Sequence, residues 1–262
     1  SVAVDYDAYY DEHPTAIARK FDLEREIPEE TVEALMIELL EAPVRGEIAK
    51  YMENKLGRPL EAFDIYLEDI AKGASSAELD EKVTAMFKDE IEFQNKIPAV
   101  LTGLGFVDED AEFLGTRVNV EIARGAGHAM RPGIPEYNAW LRTNRLDDRL
   151  GWDGFDTAMH ELGHNLEQLI STHFVPRPLL RNVPNTACTE AFAFLYQNKA
   201  KEVIGLPEDD EAKAFAFASV EGLLSACQIA GPSLVELYTW RWLYQNPEAT
   251  DEQVRDQMLA IA

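Results

Sequence analysis

Apolar side chains recur every three or four residues over most of this 262-residue chain, and that spacing restricts it to a mainly helical fold. Pro28-Glu29-Glu30-Thr31 opens one clear helix, with acids in the first turn where the macrodipole favours them. Val32, Leu35, Met36, Leu39 and Leu40 make its apolar face, and Pro43 stops it. The same pattern predicts helices near 44–56, 60–72, 77–93 and 94–103, with Gly103 and Gly105 punctuating the last. Helices resume at about 153–171, 185–203, 208–229, 232–245 and 250–261. One region departs from this spacing. Thr116 to Ile122 alternates and predicts a strand, a glycine turn runs from Arg124 to His128, and a second extended piece spans about 137–142. The expected class is mainly α (α+β), with one small β-sheet just before the helix at 153–171. No repeat, low-complexity tract or linker interrupts the chain. A single domain over 1–262 is expected, with a helical part at 1–105 and the sheet and later helices in 106–262.

Charge narrows the partners. The chain has 48 acidic and 24 basic residues, a net charge of -24. Such a surface repels nucleic acid and anionic membranes, which argues against both. Hydrophobic residues at 46% are enough for a packed core. No apolar run approaches the ~20 residues that span a bilayer, and no basic-then-apolar leader opens the chain. The compartment, cytoplasmic or secreted and periplasmic, stays open. Two cysteines, Cys188 and Cys227, do not make a disulfide framework.

The helix at 153–171 carries His160-Glu161-Leu162-Gly163-His164. Histidines at i and i+4 lie one turn apart on one face, so both imidazoles can reach one ion at ~2.0–2.1 Å. Glu161 follows the first histidine and projects beside the ion without ligating it, where it can take a proton from an activated water. Phe155, Ala158, Met159, Leu162 and Leu166 anchor the helix in a core, and Gly163 is expected to leave space beside the metal.

A zinc site needs a third protein ligand. Glu167 lies seven residues past His160, about 10 Å along the axis, too far for one ion. His173 misses the HExxHxxGxxH spacing, whose last histidine would fall at Ile170. Glu190 lies among Ala and Phe on a following helix, beyond a loop with Pro176, Pro178 and Pro184. Antiparallel packing of the two helices would bring Glu190 under the histidines, and a cation would compensate its charge. Partners are expected to orient the imidazoles; four and seven residues past Glu190 stand Phe194 and Gln197, and Gln197 is a candidate for that role, with a solvated surface position the favoured reading.

HExxH followed by a glutamate on a later helix resembles the gluzincin zinc peptidases, in particular the thimet oligopeptidase and angiotensin-converting enzyme families. Leu60 to Tyr66, Gly127-His128-Ala129, Pro184 to Ala191 and Trp240-Arg241-Trp242 resemble segments of those families in order. The resemblance implies a helical zincin-like fold with a deep channel, Zn2+ as cofactor, and hydrolysis of short peptides. It also implies that His128 and Ala129 lie on an edge strand that binds substrate, with the His128 side chain helping to hold the scissile carbonyl. On the residues alone His128 reads equally well as a polar turn residue, and the glycines beside it allow close backbone approach. One departure stands out. Those families keep a His and Tyr pair after the third ligand to stabilise the oxyanion. No histidine follows His173 here, and neither Tyr238 nor Tyr244 lies in a matching motif. Loss of such a donor costs ~10²–10³ in rate. The chain opens on Ser1 and stops at Ala262 within a helical pattern, which fits a piece of a longer protein, a short variant, or a catalytically incomplete remnant that binds zinc or peptide.

Overall fold

The computed structural model describes residues 7, 9, 12–61, 63–64, 76–123, 127–206 and 211–262. The helices before the sheet are α1 (Ala16–Arg19), α2 (Glu29–Glu41), α3 (Val44–Leu56), α4 (Ser76–Met86), α5 (Glu90–Gly103) and α6 (Asp108–Gly115). Strands β1 (Val118–Ile122), β2 (His128–Met130) and β3 (Ala139–Thr143) follow. Then come α7 (Trp152–Phe174), α8 (Thr186–Gln197), α9 (Ala200–Val203), α10 (Glu211–Gln245) and α11 (Asp251–Ile261). The protein is thus mainly helical with one small three-stranded sheet. Its residues cluster into two units, Ser1–Lys72 with Asp210–Ala262, and Gly73–Asp209. Residue 105, the expected junction of two parts, falls inside the second unit, because Ile97 and Leu101 share a core with Val118 and Leu141.

That core forms around α7. Phe155, Ala158, Met159, Leu162, Leu166 and Leu169 recur at helical spacing and are fully buried. Phe155 stacks on Phe87 with centroids 5.2 Å apart, and Phe93 meets both edge-on. This aromatic cluster explains a boundary that differs from the sequence expectation. The expected helix at 77–93 ends at Met86, and Phe87 leaves the helix to lie between Phe93 and Phe155. Asp89 then caps the next helix by accepting from the Glu92 N–H at 2.9 Å. The start of α7 is capped from outside: Gly151 has no side chain to offer, and Asp80 of α4 accepts the Trp152 N–H at 2.7 Å.

The sheet has the order β1-β3-β2, with β1 parallel and β2 antiparallel to the central β3. Val118 and Val120 on β1, and Ala139, Leu141 and Thr143 on β3, turn inward to the core. Strand β2 forms an edge, with His128 opposite Arg142 and Ala129 opposite Leu141. Of the expected glycine turn at 124–128, residues 124–126 lie outside the described residues, and His128 begins β2.

In the other unit, Thr15 caps α1, which runs on as a π-helical turn, Lys20–Arg25. Ile17, Phe21 and Leu237 pack with Val32, Met36 and Trp240. Ile48 and Met52 pack with Leu60, Val220, Leu223 and Leu224. The sequence predicts two helices parted near Gly231-Pro232, yet α10 is one helix with Pro232 inside. Its two halves are each held by one of these clusters, which offsets the ~3 kcal/mol an interior proline costs. By contrast, the single helix expected at 185–203 is divided into α8 and α9 at Asn198-Lys199. The expected helix at 60–72 and the first residues of that at 208–229 fall largely outside the described residues. Among the described residues no helix is long and apolar enough to cross a membrane.

Candidate metal centre

Contacts between α7 and α8 run in opposite chain directions. Asp156 meets Gln197, His160 meets Phe194, and His164 meets Glu190. The two helices therefore pack antiparallel. Gly163 makes the close approach possible: a Cβ there would lie 2.6 Å from the Ala193 Cα and 3.1 Å from its carbonyl oxygen. This corrects the expectation that Gly163 opens space beside a metal. The glycine is filled by the backbone of α8, and that contact draws Glu190 toward the histidines.

Three of the expected residues come together. Glu190 Oε2 lies 3.4 Å from His160 Nε2, and Glu190 Oε1 lies 3.5 Å from His164 Nε2. One donor atom from each side chain lies within 4.8 Å of the others. Two imidazole nitrogens and a carboxylate oxygen are donors of the type zinc takes, and each imidazole–carboxylate separation, made to a different oxygen of Glu190, is near the roughly 3.3–3.4 Å between ligands of a tetrahedral ion with ~2.0–2.1 Å spokes. Glu167 stands apart from the group and lines a groove next to His164. His173 packs edge-on against Phe113 at 5.1 Å.

Glu161 is 8% exposed and faces β2 rather than the shared point alone. Burial raises its pKa above the usual carboxylate range; the fields of His160 and His128 oppose that shift, Glu190 adds to it, and a hydrogen bond with the Ala129 backbone opposes it. A Cβ at Gly127 would run into the Thr157 side chain and lie 2.9 Å from Glu161 Oε1, so the glycine lets the chain enter β2 close to α7. His128 is exposed on the edge strand and Ala129 half-buried. Both thus lie beside the base rather than among the three ligand atoms. Burial also lowers the His164 pKa, against the pull of Glu190.

On the other side of His160 stand two residues that the sequence does not mark plainly, Gln197 against the ring and Asp156 behind Gln197. Gln197 Oε1 lies 2.9 Å from His160 Nδ1, so Gln197 is not a solvated surface residue. Gln197 Nε2 donates to Asp156 Oδ2 at 2.6 Å. Burial raises the Asp156 pKa and the Gln197 bond counters it. Asp156 was findable: it is an acid one turn before His160 on the same face, among apolar residues. The ring of Phe194 closes over His160 edge-on, with centroids 5.0 Å apart.

A groove of about 430 Å3 opens beside the centre, lined by Ala129, Met130, Arg131, His164, Gln168 and Thr189 among others. Comparison with protein-family models, curated proteins and solved structures gives no match, so the geometry alone bears on function.

Proposed function

We propose that this protein is a zinc-dependent metallopeptidase of zincin-like fold that hydrolyses short peptides. The observation that carries the reading is the convergence of His160, His164 and Glu190 from two packed helices, with Glu161 beside them. His160 Nε2, His164 Nε2 and a Glu190 oxygen would hold the ion. When bound, zinc supplies a Lewis acid that acidifies water and polarises a carbonyl. Glu161 takes the proton of the attacking water and passes it to the leaving amine; its burial-raised pKa suits a group that must both accept and release a proton. The edge strand β2 offers backbone to an extended peptide, and the adjoining groove accommodates its side chains. His128 and Ala129 would bind substrate there.

Glu161→Gln should lower peptide turnover by ~10²–10⁴ while zinc content stays equal to wild type. Retained turnover of a fluorogenic peptide in that variant would reject Glu161 as the base.

A second reading, zinc or peptide binding without efficient turnover, has its own support. The Tyr238 hydroxyl donates to Glu33, and that of Tyr244 donates to Asp7 and accepts the Ala16 N–H, so both phenols are engaged. His173 is packed on Phe113. Zinc analysis together with peptide cleavage, each with and without chelator, separates the readings: bound zinc without chelator-sensitive cleavage favours the second.

A further inference from the structure

We propose that Asp156 and Gln197 together fix the tautomer of His160, so that its Nε2 lone pair faces Glu190 and His164 even in the metal-free protein. Neither residue would touch a metal or a substrate; both are positioning residues. The inference goes beyond the peptidase reading, because it concerns the protein before any ion binds.

The argument follows from what each group can donate or accept. An ionised carboxylate only accepts, whereas a primary amide accepts at oxygen and donates at nitrogen. Asp156 Oδ2 stands 2.6 Å from the Gln197 amide nitrogen. The reversed amide would set oxygen against oxygen at that distance, so Asp156 orients the link. Gln197 Oε1 is then turned to His160 Nδ1 at 2.9 Å. A carbonyl oxygen cannot donate, so in the neutral ring Nδ1 carries the proton and Nε2 is left bare. The hydrogen bond at one ring nitrogen sets the role of the other. The bare Nε2 lies 3.4 Å from Glu190 Oε2, which places two acceptors across one point. Phe194 lies edge-on to the same ring. Asp156 lies one turn before His160 on the same helix, whereas Gln197 comes from α8, so the link forms only when the two helices are packed.

An amide between carboxylate and imidazole transmits direction without placing a negative charge on the ring. The link therefore sets the geometry of the ligand more than its basicity.

Nitrogen-15 NMR of the metal-free full chain, at a pH where the imidazoles are neutral, reads the tautomer directly. In wild type, His160 should be protonated on Nδ1. Gln197→Met removes the acceptor, and His160 should move to a mixture of tautomers while His164 keeps its wild-type signals. Gln197→Glu combined with Asp156→Asn keeps a donor facing an acceptor across the pair and restores an acceptor at Nδ1, so it should restore the Nδ1–H form. Asp156→Leu frees the amide to turn and should also reduce the Nδ1–H population. Wild-type His160 protonated on Nε2 would overturn the proposal, as would an unchanged tautomer in both Gln197→Met and Asp156→Leu. If Gln197→Met fails to fold, wild type and Asp156→Leu still decide. Zinc alone is then titrated. Gln197→Met should weaken its binding ~10–100-fold and the paired Gln197→Glu, Asp156→Asn variant should recover most of that loss. A wild type that binds no zinc would end the peptidase reading and leave the tautomer result standing on its own.

Discussion

Gly163 shows how one absent side chain sets the centre. Its Cα sits against the Ala193 backbone, where an added Cβ has 2.6 Å and backbone cannot step aside cheaply. Gly163→Ala should force α7 and α8 apart at the level of Glu190 and destabilise the unit by roughly 1–3 kcal/mol. Thermal unfolding and zinc titration check this together: a stable variant with unchanged zinc affinity would show that the close approach is not what positions Glu190. At this scale much of the site was legible. Two imidazoles one turn apart and an acid among Ala and Phe are local patterns that a sequence displays directly. The Asp156–Gln197 link was not, because it joins residues 41 positions apart and depends on the register of one helix against another. At Gly163 a sequence records that a side chain is missing but not what occupies its place.

Helix ends carry the same lesson for elements. Periodicity placed α7 well, because it has one buried stripe, and it found the start of α8 but ran that helix on through its end at Gln197. It misplaced the break between α4 and α5, where the helical pattern continues through Phe87 but the ring is more stable between Phe93 and Phe155. The Asp89 cap was a local signal for that break. The cap of α7 had no local signal at all, because its acceptor is Asp80, 72 residues upstream. Asp80→Ala should leave the Trp152 N–H unpaired and cost about 0.5–2 kcal/mol, the range for losing a capping side chain. Denaturant unfolding measures the loss, and amide exchange should quicken first at the start of α7. An unchanged exchange rate at Trp152 would show that the cap contributes nothing. Pro232 marks the opposite failure: a strong stop signal overridden by packing on both sides of it.

Across the whole molecule, carboxylate pKa values are shifted in both directions. In the unit formed by the chain's two ends, Arg241 bonds Glu29 at 2.7 Å and Glu33 at 2.6 Å, and Tyr238 donates to Glu33. Arg241 first, then Tyr238, holds the Glu33 pKa below the usual carboxylate range. A lowered folded pKa gives stability that is present above the unfolded value of ~4.3 and lost as pH falls through the folded value. The pairs are part-exposed and screened, so the contribution is under about 1 kcal/mol. Glu33→Gln should flatten the acid limb of the unfolding midpoint against pH and leave the midpoint nearly unchanged near the folded pKa and below. An equally steep limb would remove Glu33 from the account. Burial shifts Asp156 and Glu167 of the other unit the opposite way, so their ionised forms cost stability that protonation relieves. The mainly helical class and the small sheet were readable from periodicity. The return of α10 to α2 was not, because no local pattern encodes a pairing between distant ends of a chain.

The proposed ligands also make a clasp. His164 and Glu190 sit on either side of the proline-bearing segment between α7 and α8. An ion gripping both would close a loop of about 26 residues, and on a chain-entropy account such a tie withholds roughly 3–4 kcal/mol of disorder from the unfolded chain. Stripping the ion would then act like cutting a crosslink. Chelator should lower the melting temperature of wild type, and Glu190→Ala should melt at that lower temperature with or without chelator. Identical melting of wild type in zinc and in chelator would mean that nothing fastens the two helices there.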